Sequence, residues 1–336
     1  MVDEDSPALH TASSIREAVL ITVAICTRNR STFLRQAIES VVIQLDDESE
    51  ALVIDNASTD ETPVVARAAA ERFRRVRVWR EDELGLSVAR NTALRQARGQ
   101  YVIFLDDDAI AEPGWLAAYR QLVLHPPTPD LSAMGGAVFP RYDCATPWWL
   151  HPLAFTLNRS EVAQEFSGRG HPWGCNFAVR RQLALDVGGF NPWLGRKGGG
   201  MGAHEESELL ERIQRAGGRL WWVPRARILH HVASDRLTLR ANCWGEFCQG
   251  RSSALYRFQR GTGPEPRTAY RLGRVLLTPL HCAVCLLGTV GMFLLGRPML
   301  GVQHIFRAAR NAGFGWQLAL DLFRGTPAAN SFSILS

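Results

Sequence analysis

Between residues 19 and 231, short apolar runs alternate with stretches of helical periodicity, the pattern of β-α units laid on a largely parallel sheet. The runs 19–25, 51–54, 76–79 and 101–105 are rich in Val, Ile or aromatic residues and nearly unbroken, which predicts strands buried on both faces. Between them Phe33, Leu34, Ala37, Ile38, Val41 and Val42 form one helical stripe after a Ser31 cap. Val64, Val65, Ala68 and Phe73 form a second after the turn at 60–63. Ser87 predicts the cap of a third helix running through Ala97. Pro113 opens a fourth with Trp115, Leu116, Tyr119 and Leu122 inward. Beyond the Pro-rich break at 126–129 the pattern loosens: strands are expected at 134–139 and 175–179, then a glycine-heavy loop at 195–202 and a helix over 204–216. Strands at 220–223 and 227–231 close the domain.

Composition narrows the class. At 336 residues, 46% hydrophobic and 21% charged, the chain has the balance of a soluble globular protein, which excludes a collagen, a disulfide mini-scaffold and a wholly disordered chain. Seven cysteines make no paired framework, pointing to a reduced, cytosolic setting. Asp3, Glu4, Asp5 and Glu17 do not read as a secretory signal, and residues 1–18 are expected to be a disordered tail. Twelve arginines from residue 236 onward face only Glu246, Glu265 and Asp321, a net of +9, so the basic character is C-terminal. Neither a nucleic-acid module nor aromatics interleaved with this charge accompany it, and no nucleic-acid partner is expected.

In open α/β sheets, ligands bind outside the carboxyl ends of the strands. Those ends are strongly polar here: Cys26-Thr27-Arg28-Asn29-Arg30 after the first, Asp55-Asn56-Ala57-Ser58-Thr59-Asp60 after the second, Gly85 to Asn91 beyond the third and Asp106-Asp107-Asp108 after the fourth. Three adjacent carboxylates repel one another unless a cation compensates, and a divalent metal bridging a substrate diphosphate would do so. With these motifs in this order, residues 20–240 closely resemble the inverting glycosyltransferases of family 2. Ile25-Cys-Thr-Arg-Asn-Arg is similar to that family's P-T-Y-N-R segment, and Phe104-Leu-Asp-Asp-Asp to its DXD element.

The resemblance implies a GT-A-type, Rossmann-like α/β domain over 19–240 that uses a nucleotide-activated sugar and a divalent metal, Mg²⁺ or Mn²⁺. It implies that Thr27, Arg28 and Asp55 line the base pocket, that Arg90 reaches the base or phosphate, that Asp106 and Asp107 serve the donor, and that Asp108, with Asp106 and His231 (or its neighbour His230), holds the metal. For Asn29, Asn56, Ser58 and Asp60, turn formation or helix capping is an equal reading. Trp173-Gly-Cys-Asn176 resembles the family's central segment and implies acceptor contacts from Trp173 and Asn176, with Trp148 and Trp149 as further stacking surfaces. The segment Gly202-Ala-His-Glu-Glu-Ser-Glu resembles the acceptor motif. Glu206 is the expected base, Glu205 its alternate, and the helix start favours the ionised form.

Residues 241–336 are expected to be a helical, membrane-associating region. The uncharged run 275–296 would reach about 33 Å as a helix, compatible with an anchor lying on the membrane, a span or a buried core helix. Together these features predict an enzyme at the cytoplasmic face of an anionic membrane, moving a sugar to a glycan or lipid-linked acceptor hydroxyl. The alternatives are a sugar-phosphate nucleotidyltransferase, which would want a Gly-rich basic loop where residues 26–30 stand, and a non-catalytic scaffold, which would be expected to lose the acidic cluster or Glu206.

Overall fold

The computed structural model describes residues 19–166, 170–198, 202–258 and 268–324. The expected tail and residues 199–201 of the glycine loop lie outside them. Among the described residues the chain begins with β1 (Ile21–Thr27), α1 (Ser31–Val42), β2 (Ser49–Asn56), α2 (Thr62–Arg72), β3 (Val76–Glu81), α3 (Leu86–Gln96) and β4 (Tyr101–Leu105). The four strands pair in parallel in the order β3-β2-β1-β4. Their apolar runs are continuous because both faces are covered. Ile21, Val23 and Ile25 point into a core shared with α1 and α2, whereas Ala24 turns to a second core under α3.

The second half makes the sheet mixed. β5 (Ala109–Ala111), α4 (Trp115–Leu124), β6 (Leu131–Tyr142), β7 (Gln164–Glu165), β8 (Asn176–Arg180), α5 (Arg181–Asp186), α6 (Glu205–Arg215) and β9 (Arg219–Val232) follow. They extend the sheet as β4-β8-β6-β9-β5, with β7 on β9. The two closing strands expected at 220–223 and 227–231 are one strand. β9 pairs in parallel along β6, and its register shifts where Val223 and Arg227 oppose Gly136 and Ala137, so Pro224, which has no N–H to donate, falls in a bulge. The antiparallel pairing of Ala109 with His230 sets the carboxylate turn 106–108 against the far end of β9.

Several local expectations are corrected. Ser31 is the first residue of α1 and makes no cap hydrogen bond; Ser87 lies inside α3, donates to the Leu194 carbonyl, and leaves the N-cap to Gly85. Pro113 stands ahead of α4, whose N-cap is Gly114 at φ 85°. The inner face of α2 is Thr62, Val65 and Ala66, with Val64 and Ala68 exposed. Asp60 does serve the helix start, accepting the Thr62 N–H.

The C-terminal segment is α7 (Leu239–Phe258), α8 (Thr268–Leu294) and α9 (Pro298–Arg324). Helix α9 crosses α7 at backbone contact: a Cβ added to Gly313 would lie 1.9 Å from the Phe247 carbonyl oxygen. Val302 and Phe306 of α9 pack with Trp149, Leu150, Val232 and Leu237, so Trp149 is a core residue and not a stacking surface. Helix α8 is long and apolar enough to cross a membrane, and none of its most apolar stretch is buried, which rules out the core-helix reading of 275–296.

Candidate active site

Two cavities open at the carboxyl ends of β1, β2 and β4. The first, of about 360 Å³, is lined by Thr27, Arg28, Asn56, the carboxylate turn and the guanidinium-bearing Arg30, Arg196 and Arg236. The second, of about 600 Å³, is lined by Trp173, His204, Glu205, Glu206 and His230, and by Gln249 and Tyr256 of α7. Leu86, Asp106 and Arg196 line both.

The three aspartates have three environments. Asp107 is buried and accepts the Thr27 hydroxyl at 2.7 Å; burial, then the Asp108 charge, push its carboxyl up to about 7 despite Arg30. Burial would also raise Asp108, but His230 at 3.1 Å, Arg30 at 2.7 Å and Arg196 outweigh it and hold that carboxyl well below the usual range. Asp106 is the most open of the three and accepts from Arg90 Nη2 at 3.3 Å.

Four of the expected residues are engaged inside the protein. Arg90 is buried at the wall of the second cavity and committed to internal partners: it is ion-paired to Glu205 at 2.9 Å and to Asp106, donates to the Gly174 carbonyl at 2.7 Å, and stands 5.6 Å from the ring centres of Phe104, Phe177 and Phe190. Burial disfavours its charge, yet Glu205 and Asp106 more than restore it. Asp55 does not line the first cavity, and its oxygens are taken by the Ser58 N–H and by Arg80. Asn176, at 0% exposure, touches no acceptor space. Its amide accepts from Trp115 and Tyr119 and donates to the carbonyls of Ala137 and Ala226, tying β8, α4, β6 and β9 together. His231 turns to the opposite side of β9 from the carboxylates, pairing with Asp143 at 2.7 Å and lying against Phe33. His230 is the histidine that faces them.

Asn56 lines the first cavity while its amide bonds the backbone of Gly85, Glu81 and Glu83; Asn29 and Ser58 interlock the first two strand-end loops through Thr59 N–H and Asn29 N–H. Trp173 is 37% exposed beside the second cavity, and Trp148 is exposed elsewhere.

Asp106, Cys175 and His230 bring ligand atoms within 4.8 Å of one another, and Asp108 touches His230. The set fits a divalent cation through the carboxylates and the imidazole. Burial, then Asp106 and Asp108, raise the Cys175 thiol well above its ordinary value, so it stays neutral and is a poor partner for a hard ion.

At the start of α6, Glu206 has its carboxyl raised to about 8 by burial and by the Glu205 charge, with Arg90 opposing. The helix start favours the ionised form, while desolvation and the neighbouring carboxylate act against it. Glu205 is spent on Arg90 through one oxygen.

Residues 22–188 match the family described as glycosyl transferase family 2. The chain belongs to that family. Its fold is the GT-A type, and this family-2 glycosyltransferase is similar over 92% of its length to a mannosyltransferase from Pyrobaculum calidifontis solved with GDP-Man and Mn²⁺, with TM-score 0.52, 20% identity and 76% of that chain covered. Among curated relatives, it is 23% identical over 256 residues to a glucosyl-dolichyl phosphate glucuronosyltransferase of Haloferax volcanii, covering 74% of this chain and 81% of that one. It is 27% identical over 229 residues to the succinoglycan biosynthesis protein ExoM of Rhizobium meliloti, covering 66% and 70%.

Sequence reading missed the Arg196 and Arg236 wall of the first cavity and the α7 wall of the second. The His230 orientation had a legible signal, since alternate residues of a strand face opposite ways.

Proposed function

We propose that this family-2 glycosyltransferase moves a sugar from a nucleoside-diphosphate donor to an acceptor hydroxyl in one inverting displacement. The observation that carries the reading is the junction of the two cavities at Asp106, one rich in guanidinium groups and the other bearing Glu206. Arg30, Arg196 and Arg236 suit a diphosphate: burial, and then the Arg196 charge, lower the Arg236 pKa, a strain that an anion relieves. Asp106, Asp108 and His230 would hold Mg²⁺ or Mn²⁺, which when bound supplies positive charge where the leaving diphosphate develops its own.

On the other side of Asp106, Glu206 takes the acceptor hydroxyl proton as that oxygen bonds to the anomeric carbon. The carbon–oxygen bond to the diphosphate breaks, and the diphosphate leaves with the electron pair. A carboxyl raised to about 8 is a stronger base than an ordinary glutamate, the match that general-base catalysis near neutral pH favours. Arg90, bonded to both Glu205 and Asp106, fixes the base side against the donor side. The exposed apolar face of α8 beside an arginine-rich C-terminal region supports attachment to an anionic membrane at its cytoplasmic face, near a glycan or lipid-linked acceptor.

The test is the anomeric configuration of the first-formed product, followed by NMR with and without chelator. Inversion that stops on chelation is expected. Retention would sink the single displacement, and full turnover in chelator would remove the metal from the reading.

A further inference from the structure

Three guanidinium groups line the second cavity, those of Arg90, Arg159 and Arg196. Arg90 is committed to Glu205, Asp106 and the Gly174 carbonyl, and Arg196 also lines the first cavity, where its charge acts on Asp108. Arg159 is exposed, and among the described residues it makes neither an ion pair nor a hydrogen bond; its guanidinium lies 4.7 Å from the centre of the Phe166 ring. A ring contact uses none of the five N–H donors, so the fork that meets a phosphate or a carboxylate with two parallel bonds has no protein partner there.

The chain around Arg159 is held on both sides. Leu157 exchanges two backbone hydrogen bonds with Val138 of β6, and the Ser160 carbonyl accepts the Trp222 indole N–H at 2.7 Å. Phe166, which carries the guanidinium, is itself buried against the Trp222 ring at 6.0 Å. A Cβ on Gly170 (φ 131°) would lie 2.8 Å from Arg159 Nη1, so bare backbone leaves the room that the guanidinium takes.

The segment that begins at Gly170 also reaches the base. Residues 170–175 all line the cavity, and a Cβ on Gly174 would lie 3.5 Å from Glu206 Oε2. The four residues from Gly170 to Gly174 span at most about 14 Å even when fully extended. Arg159 and Glu206 therefore stand over one short strip of the same wall. Resting on the proposed placement of the acceptor hydroxyl beside Glu206, we propose that Arg159 sets acceptor specificity by pairing with an anionic group, a phosphate or a carboxylate, carried by the acceptor close to the hydroxyl that receives the sugar. An uncharged acceptor gains nothing from this side chain, whereas an anion gains a charge-assisted pair with a group already fixed in place.

Binding is read without turnover, so the outcome stands apart from that of the inverting mechanism. Full-length protein, with UDP or GDP present to fill the first cavity, is titrated with the 1-phosphates of glucose, galactose and mannose, with methyl glucuronide and galacturonide, and with the uncharged methyl glycosides, followed by saturation-transfer NMR. At least one charged ligand binds at least tenfold more tightly than the uncharged glycoside of the same sugar. Arg159→Gln removes that advantage and Arg159→Lys keeps part of it; added salt weakens the charged ligand on the wild type and not on Arg159→Gln. The side chain is exposed, so its replacement leaves the fold intact, as a thermal melt checks. Preference for the 1-phosphates assigns a phosphate, as on a lipid carrier, and preference for the uronides assigns an acidic sugar. The proposal is overturned if no charged ligand binds, if charged and uncharged ligands bind alike, or if Arg159→Gln keeps the wild-type preference. Failure of both UDP and GDP to bind would count against the donor reading instead, and the comparison of Arg159→Gln with the wild type would still decide the anion.

Discussion

Glu206 gains its basicity from the groups that make its charge costly. If it is the base, kcat/KM should rise about tenfold per pH unit below its pKa of about 8 and flatten above it. Glu206→Gln should lower transfer by about 10²–10⁴ while leaving nucleotide affinity, read by calorimetry, intact. Stability supplies an independent reading. The folded pKa lies above the ordinary 4.5, so the wild type binds this proton more tightly when folded and loses stability as pH rises from about 4.5 through about 8. Thermal melts across that window should show Glu206→Gln gaining on the wild type; a constant difference would mean the carboxyl is not raised. Asn176 is the opposite case, a residue whose worth is structural. Asn176→Ala would orphan the Trp115 indole N–H, at about 1–3 kcal/mol, and take the amide donor from the Ala137 and Ala226 carbonyls, while the Tyr119 hydroxyl keeps the backbone carbonyl of residue 176; urea unfolding should show a loss of a few kcal/mol. Sequence made the carboxylates legible because like charges side by side demand an explanation. It could not show that Asn176 and Arg90 are consumed internally, because their partners lie 57 and 61, or 84 and 115, residues away.

At the scale of elements, the first four strands and the helices after them were readable because period 2 and period 3.6 stand clear of each other when both faces of a sheet are dry. Their exact starts were less so, since Ser31 and Ser87 have capping chemistry that goes unused. β9 joins the expected strands 220–223 and 227–231 into one, because pairing along β6 carries the chain past Pro224 with a bulge. Helix α8 had three readings from composition alone, and only packing removed one. Its outer face, with Leu276, Leu287 and Leu294 exposed, predicts sedimentation with anionic vesicles. Leu287→Asp should weaken that attachment more than raised salt does, because burial of apolar area persists where screened charge fades. Equal binding to vesicles by Leu287→Asp would take α8 out of the interface.

Taken whole, the molecule joins its C-terminal helices to the catalytic domain more closely than a tethered anchor would be. Val302 and Phe306 fill a core with Trp149 and Leu237, and Arg251 donates to Gln317 between α7 and α9. A chain cut after residue 260 should therefore expose that core and be recovered largely insoluble, as fractionation would show; a soluble product would mean that α9 is dispensable.

The Arg90 bridge bears on how such enzymes can be recombined. Arg90 comes early in the chain, and Gly174 and Glu205 come late. A hybrid whose crossover falls between residues 112 and 173 takes the cation from one parent and its counter-charge from the other. Where the second parent lacks an acid at position 205, an arginine ringed by three phenylalanines is left short of its strongest partner, a defect of about 3–5 kcal/mol. Such hybrids should be lost as aggregates before any change of acceptor can be scored, so the acceptor halves that can be exchanged among relatives are those that bring their own carboxylate for this one guanidinium.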